Sequence, residues 1–345
     1  MTPGRSAALA RQVAPDRVSA GREREITVDR SNDCIVVDEA VFVKWLTPPA
    51  RVPHHGLDVV RHLAAVGFDA MPALLGCDVS DGHLQAIAFE HIAGAEDGWT
   101  WLFERVNAVD DGTMTRAELL VDAARLGTLA ADLHAALATP SATFPDPIGA
   151  VDRGSERARG HGLLAAALDA VVARDQPEAH AVLHECRTAI AQLIDSIADG
   201  STPALSIHGD LHVGQVLRSG DRIVLIDFDG NPLVVAGTFA PQPPVVDAAS
   251  LVQSVDHVVR MTQHRRPGRD EHFDALATDL SSAAIDGYRT RLGGLGAERL
   301  LDADLLPALR AVQELHELVY SVRRLPRWAY APTLALGAMF LRTAG

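Results

Sequence analysis

Residues 206–215 read Ser206-Ile207-His208-Gly209-Asp210-Leu211-His212-Val213-Gly214-Gln215, followed by VLRSGDR over 216–222 and IVLIDFDG over 223–230. Asp210 and Gln215 stand five positions apart. The apolar run Arg222–Ile226 predicts a strand that would hold Asp227 rigidly at its end. If that strand continues, Asp229 points to the same side as Asp227. The stretch therefore offers, in order, a carboxylate, a side-chain amide and one or two carboxylates at a strand end. All are hard oxygen groups.

That order matches the needs of phosphoryl transfer, which asks a protein mainly for positioning and charge neutralisation. A carboxylate must take the hydroxyl proton, side-chain oxygens must hold Mg²⁺, and a cation must hold the phosphates. In the protein-kinase order the catalytic Asp precedes a metal-binding amide by five positions, and a second metal-binding Asp follows a strand later. Asp210 is thus the expected catalytic residue. Gln215 and Asp227, with Asp229 as an extra contact, are the expected metal ligands, the Gln carbonyl serving as an Asn carbonyl would.

Upstream, the first ~90 residues read as strands around one helix. Glu25–Asp29 and Cys34–Asp38 flank the turn residues Ser31-Asn32-Asp33. Ala40–Leu46 (AVFVKWL) is a third strand, stopped by Pro48-Pro49 and carrying Lys44, which sits where a kinase lysine grips the α/β-phosphates. Leu57–Val66 has helical spacing and ends at Gly67; its Asp58 is the candidate ion-pair partner of Lys44, although kinases usually place the longer Glu there. Ala86–Phe89 reads as a further strand. Beyond Gly94 the character turns helical. Arg116–Ala138 is periodic, with Thr115 and Glu118 in a capping-box pattern. Residues 139–161 read as loop, 162–172 and 177–198 as helix, and 205–235 as a strand-rich island closed by a Pro-rich loop, 239–244. Helices are predicted at 246–263, 271–291 and 303–324, with 264–271 (HRRPGRDE) exposed between two of them. The expectation is an α+β, bilobal fold. Residues 1–90 would form a strand-rich lobe with the phosphate-binding lysine, and 91–345 a helical lobe with the catalytic loop and acceptor site.

Composition sets the boundaries. At 345 residues, 48% hydrophobic and 22% charged, the chain suits a globular protein with two lobes. Its net charge of −14 argues against a nucleic-acid partner, and no apolar run suits a membrane span or secretory signal. Three cysteines make no disulfide framework, so a cytoplasmic location is expected.

HGDLHVGQVL (208–217) followed by IDFDG (226–230) resembles the aminoglycoside-phosphotransferase-like kinases, and within them the maltokinases and the related bacterial glucosamine kinases. Leu126–Leu137 (LGTLAADLHAAL) is similar to that family's LGxxxAxLHxxL helix, and Val246–Leu251 (VDAASL) to its DVAGML helix start. Gly94–Trp99 resembles the segment after the maltokinase hinge, and Glu317–Tyr320 through Arg327-Trp328 the C-terminal helix and its RPxW close. The likeness covers roughly 34–335. It departs in three places. The N-terminal part is short for the extra cap of full-length maltokinases, and no G-x-G-x-x-G precedes Lys44, so Ser31–Asp33 would cover the phosphates differently. Gln313 and His316 stand where maltokinases carry Lys and Tyr.

The resemblance implies a protein-kinase-like fold and an ATP- and Mg²⁺-dependent sugar kinase. The pattern over 313–330 points to glucosamine kinase, giving glucosamine 6-phosphate and ADP; a maltokinase making maltose 1-phosphate and an aminoglycoside phosphotransferase are the alternatives. Glu90 and Ile92, flanking the backbone that would take adenine, join Lys44 and Asp58 as cofactor residues. An amino sugar would meet Asp210, His212, Gln313, Glu317, Tyr320 and Trp328. Gln313, Glu317, Tyr320 and Arg324 recur at helical spacing, and an aromatic such as Trp328 commonly floors a sugar site.

Other readings compete. His208 and His212 have zinc-pair spacing, but Gly209 disfavours a helix there and no adjacent Glu supplies a base, which weakens a metal hydrolase. A pseudokinase would not need Asp210, Gln215 and Asp227 together. Lys44 as a solvated strand residue, His134 as a satisfied core histidine, and Trp328 and Tyr320 as core aromatics are the plain structural readings.

Overall fold

A computed structural model describes residues 4–26, 32–230 and 240–342. Ser31, most of the expected Glu25–Asp29 strand and the end of the 205–235 island lie outside the described residues. In chain order the helices are α1 (Arg5–Val13), α2 (His55–Ala65), α3 (Gly98–Asp110), α4 (Arg116–Leu137), α5 (Arg153–Ala170), α6 (Pro177–Asp195), α7 (Pro244–Arg265), α8 (Asp270–Gly294), α9 (Leu306–Arg324) and α10 (Tyr330–Phe340). The strands are β1 (Glu23–Ile26), β2 (Asp33–Val37), β3 (Val41–Arg51), β4 (Leu74–Ser80), β5 (His83–Glu90), β6 (Glu96–Asp97), β7 (Gly149–Asp152), β8 (Ser201–Ala204), β9 (Val216–Ser219) and β10 (Arg222–Leu225). They fall into two compact units.

The first unit takes in Met1–Asp97, Thr139–Pro145 and Gln215–Phe239, as far as these are described. Its main sheet is antiparallel in the order β1-β2-β3-β5-β4, with a smaller sheet β10-β9-β6. Val41, Val43 and Trp45 of β3 join Val37, Ala86 and Ala88 in one apolar layer, covered by Ala7, Leu9 and Ala10 of α1. That helix was not anticipated. It is short, and its start is capped from another element: Glu23 on β1 accepts from the Gly4 and Ala7 amides at 2.9 and 2.8 Å. β3 also runs past Pro48-Pro49, against expectation. The ladder with β5 shifts register between Trp45 and Ala50, so no regular ladder bond is required of the prolines. β4 was missed as well, although Asp81-Gly82 behind it is strong hairpin chemistry; both residues have positive φ, 52° and 72°.

The second unit holds Gly98–Ala138, Asp146–Gly214 and Ala240–Gly345, again as far as described. Here α4 starts on the expected capping box, Thr115 with Glu118. It packs tightly on α8 because Gly127 and Gly287 have no side chain: a Cβ at either would lie 1.8 or 2.2 Å from a carbonyl oxygen of the other helix. Residues 139–161 are not all loop. α5 begins at Arg153, where the Asp152 side chain accepts from the Gly154 amide. Leu164, Leu183, Ile190, Val312, Leu315 and Leu318 knit α5, α6 and α9 into one core. The expected exposed loop 264–271 shrinks to four residues between α7 and α8, tied down by Arg266 and Arg269 on Asp110. α10, which follows Trp328, was also unforeseen. Among the described residues no helix is long and apolar enough to cross a membrane.

Candidate active site

In the first unit the site begins with Lys44. Alternation on β3 turns Val43 and Trp45 into the layer shared with α1, and Lys44 to the other face. It is nonetheless buried, 7% exposed. Its Nζ lies 2.6 Å from Asp227 Oδ1 and 2.8 Å from Asp229 Oδ2. Burial, the largest single influence, pushes the ammonium down; Asp229 and Asp227 together outweigh it, and the group sits above its ordinary value and stays charged. Asp58, in the first turn of α2, is not brought to Lys44 among the described residues.

The two carboxylates converge by an unexpected route. β10 stops at Leu225, and Asp227 takes a left-handed conformation, φ 61°. Such a backbone is strained for a residue with a Cβ, by roughly 1 kcal/mol or more. A turn, not a continued strand, thus aims both aspartates at one point. The Ile226 amide donates to the Gln215 carbonyl at 2.9 Å, which holds the start of β9 beside this turn. Gly56 on α2 faces the same turn, where a Cβ would lie 2.2 Å from Asp229 Oδ1. The Asp227 and Asp229 side chains remain 39% and 33% exposed, so their oxygens are open to a further cation. Of the expected nucleotide residues, Glu90 pairs with Arg222 at 3.0 Å and Ile92 is buried, its carbonyl accepting from Ala95.

In the second unit Asp210 sits on a loop fastened by α7. Asp247, in the first turn of that helix and 1% exposed, accepts from the His208 and Gly209 amides at 2.8 and 2.9 Å. His134 Nε2 lies 3.2 Å from the same carboxylate, and its Nδ1 lies 2.7 Å from the Tyr288 hydroxyl. A neutral ring donating to Asp247 and accepting from Tyr288 satisfies both contacts. Further along, the Val213 amide donates to Ser254 on α7 at 2.9 Å. His212 Nδ1 accepts from the Gly214 amide at 3.0 Å, leaving Nε2 toward Asp210, 3.8 Å away.

Near this loop the face of α9 carries Gln313, His316, Glu317 and Tyr320, all half-buried, whereas Arg324 is exposed. Gln313 donates to Glu317 Oε1 at 2.9 Å. Burial raises the Glu317 carboxyl above its usual range, with the charges of Glu314 and Asp210 adding and His257 opposing. Burial likewise pushes the His316 imidazole down, against Asp210. Trp328 stacks with Tyr330, ring centroids 5.9 Å apart; Trp99 lies 6.4 Å from Trp328 and 6.2 Å from His212. Asp210, His212, Glu317 and Trp328 thus belong to one side-chain neighbourhood.

Sequence reasoning missed Asp247, Trp99 and the groups behind Glu317. Asp247 was visible only as part of VDAASL, with nothing local to show that its carboxylate reaches back to His208 and Gly209.

The Phosphotransferase enzyme family matches residues 26–289. A glucosamine kinase of Streptacidiphilus jiangxiensis is 36% identical over 323 residues, covering 91% of this chain and 72% of that protein. A second, from Mycolicibacterium smegmatis, is 35% identical over 337 residues, covering 93% and 80%. A solved glucosamine kinase in complex with glucosamine, ADP and inorganic phosphate superposes with a TM-score of 0.79 at 31% identity, covering 97% of this chain and 82% of that one.

Proposed function

Since the chain belongs to the phosphotransferase enzyme family, we propose that it is a glucosamine kinase, moving the γ-phosphoryl group of ATP to the 6-hydroxyl of glucosamine. The observation that carries the acceptor is the α9 carboxylate Glu317, held by Gln313 and electrostatically coupled to Asp210 within one unit. An ammonium ion is the natural partner of such a group.

Asp210 orients the sugar hydroxyl and takes its proton. The Asp247 carboxylate acts on it indirectly, through the His208 and Gly209 amides. His212, with Nδ1 occupied, offers an Nε2 proton to the acceptor. Trp328 supplies an apolar face to the sugar ring, and Tyr320 and Gln313 supply hydroxyl and amide contacts. Lys44 grips the nucleotide phosphates, and the backbone around Glu90 and Ile92 receives adenine. Residues 1–90 provide the phosphate-gripping lysine and 91–345 the catalytic loop and sugar site.

The donor set fits Mg²⁺. Asp227 and Asp229 already share one cation, Lys44 Nζ, and remain partly open; Gln215 adds a carbonyl oxygen. Among the described residues no three acidic, histidine or cysteine side chains cluster as a complete cage, as suits an ion that takes one or two carboxylates and substrate phosphates. When bound, Mg²⁺ neutralises charge on the phosphate oxygens. Three cysteines outside any disulfide and an acidic chain accord with a cytoplasmic enzyme acting on small molecules and not on nucleic acid.

Phosphorus–proton correlation on the product is the direct test. Coupling to the C6 protons of glucosamine is expected. Coupling to C1 would return the chemistry of sugar 1-phosphates to first place.

A further inference from the structure

α7 and α9 share a buried polar seam that the chemistry above leaves unused. Gln253 and His257 are four residues apart on α7; Arg310, Glu314 and Glu317 are four and three apart on α9, so each set occupies one helix face. His257 Nε2 lies 2.8 Å from Glu314 Oε2. Gln253 donates to the other oxygen of Glu314 and accepts from Arg310, so its amide is oriented from both ends. Glu314 is 0% exposed, Gln253 1% and His257 6%. A core built only for stability would replace such a seam with apolar side chains at little or no loss. Its charges are also not spent elsewhere: the adjacent Asp256 is engaged by Arg260 at 2.7 Å, and Arg260 reaches on to Asp274.

Glu317 lies one turn beyond Glu314. The groups acting on it are Glu314 from its own helix, His257 from α7 and Asp210 from the catalytic loop, with Gln313 hydrogen-bonded to it. Arg159 of α5 acts on His316 and is paired with Glu156. Resting on the acceptor reading above, we propose that His257, held by Glu314, is a positioning residue for amino-sugar specificity: its imidazolium keeps the Glu317 carboxyl ionised beside the like charges of Glu314 and Asp210. Burial alone would push the imidazole down; Glu314, with Glu317 and Asp256 adding, lifts it to about 9. Without that cation only the Gln313 hydrogen bond opposes the two neighbouring carboxylates. Glu317 then keeps its proton to higher pH, and a neutral carboxyl no longer pairs with an ammonium.

The test is the ionisation of Glu317 in the full chain, followed by carbon NMR of the glutamate carboxyls, with Glu317→Gln identifying the signal. It is compared in wild type, His257→Gln and His257→Lys. The Gln variant keeps a donor for Glu314 without the charge; the Lys variant keeps the charge. The Glu317 midpoint is expected to move to higher pH in His257→Gln and to return toward wild type in His257→Lys. The glucosamine-over-glucose ratio of kcat/KM, followed across the Glu317 midpoint, should fall on the acid side in His257→Gln by up to about tenfold per unit by which the midpoint moves, while glucose kinetics hardly change. An unmoved midpoint overturns the proposal, whatever sugar is used. A moved midpoint in an enzyme whose wild type does not prefer glucosamine supports the coupling and overturns the acceptor reading instead. Should His257→Gln fail to fold, nitrogen NMR of the wild-type imidazole decides: a His257 that is neutral where Glu317 ionises overturns the proposal.

Discussion

Asp210 and Asp227 carry opposite structural burdens, and their variants should fail differently. Asp210 is a partly exposed loop carboxylate preceded by the His208 and Gly209 amides that Asp247 holds, so Asp210→Asn should fold normally, bind ATP and lose at least ~10²-fold in kcat. Near-normal turnover would remove Asp210 from the role of base. Asp227 shares Lys44 with Asp229, and Asp227→Ala should abolish Mg²⁺-dependent turnover, which a Mg²⁺ titration of activity reads directly. An unchanged Mg²⁺ dependence would contradict the ligand assignment. The Asp210–Gln215–Asp227 series could be proposed from the sequence because its spacing is local. The partners of Lys44 were not. They lie 183 and 185 residues away, and they reach it through a left-handed Asp227 that no periodicity foretells.

Among elements, long periodic helices and the capped start of α4 could be read directly, because pattern and cap agreed. α1 could not: it is nine residues long with a capping carboxylate on a different element. Its contribution is nevertheless measurable. Leu9 is 6% exposed against the sheet, and Leu9→Ala should destabilise the chain by about 2–5 kcal/mol in denaturant unfolding. A negligible change would mean that α1 merely rests on the sheet. The α7–α9 seam makes a pH prediction at the same scale. A histidine whose folded value lies near 9, above its unfolded ~6.5, adds stability that is complete below the unfolded value and is lost as pH rises through 9. The raised Glu317 works in the same sense at lower pH. Wild type should therefore lose on the order of 3 kcal/mol between pH 6.5 and 9 from His257. His257→Gln should show a flatter profile, and identical profiles would contradict it.

For the whole molecule, the phosphotransferase fold states the reaction but not the acceptor, since related folds phosphorylate unlike substrates. The choice rests on a few side chains on α9 and around the catalytic loop. Glu317→Gln is expected to cut kcat/KM for glucosamine far more than for glucose, because only the former presents an ammonium. Equal losses on both sugars would make Glu317 a packing residue. The decisive measurement is kcat/KM of the wild-type chain, with ATP and Mg²⁺, for glucosamine, glucose and N-acetylglucosamine. A half-buried carboxylate covered by a sugar without an ammonium should reject the neutral sugars. Glucosamine is therefore expected to exceed glucose by at least about 10²-fold, with N-acetylglucosamine lower still, since acetylation removes the charge and adds bulk. Equal use of glucose and glucosamine would contradict the account.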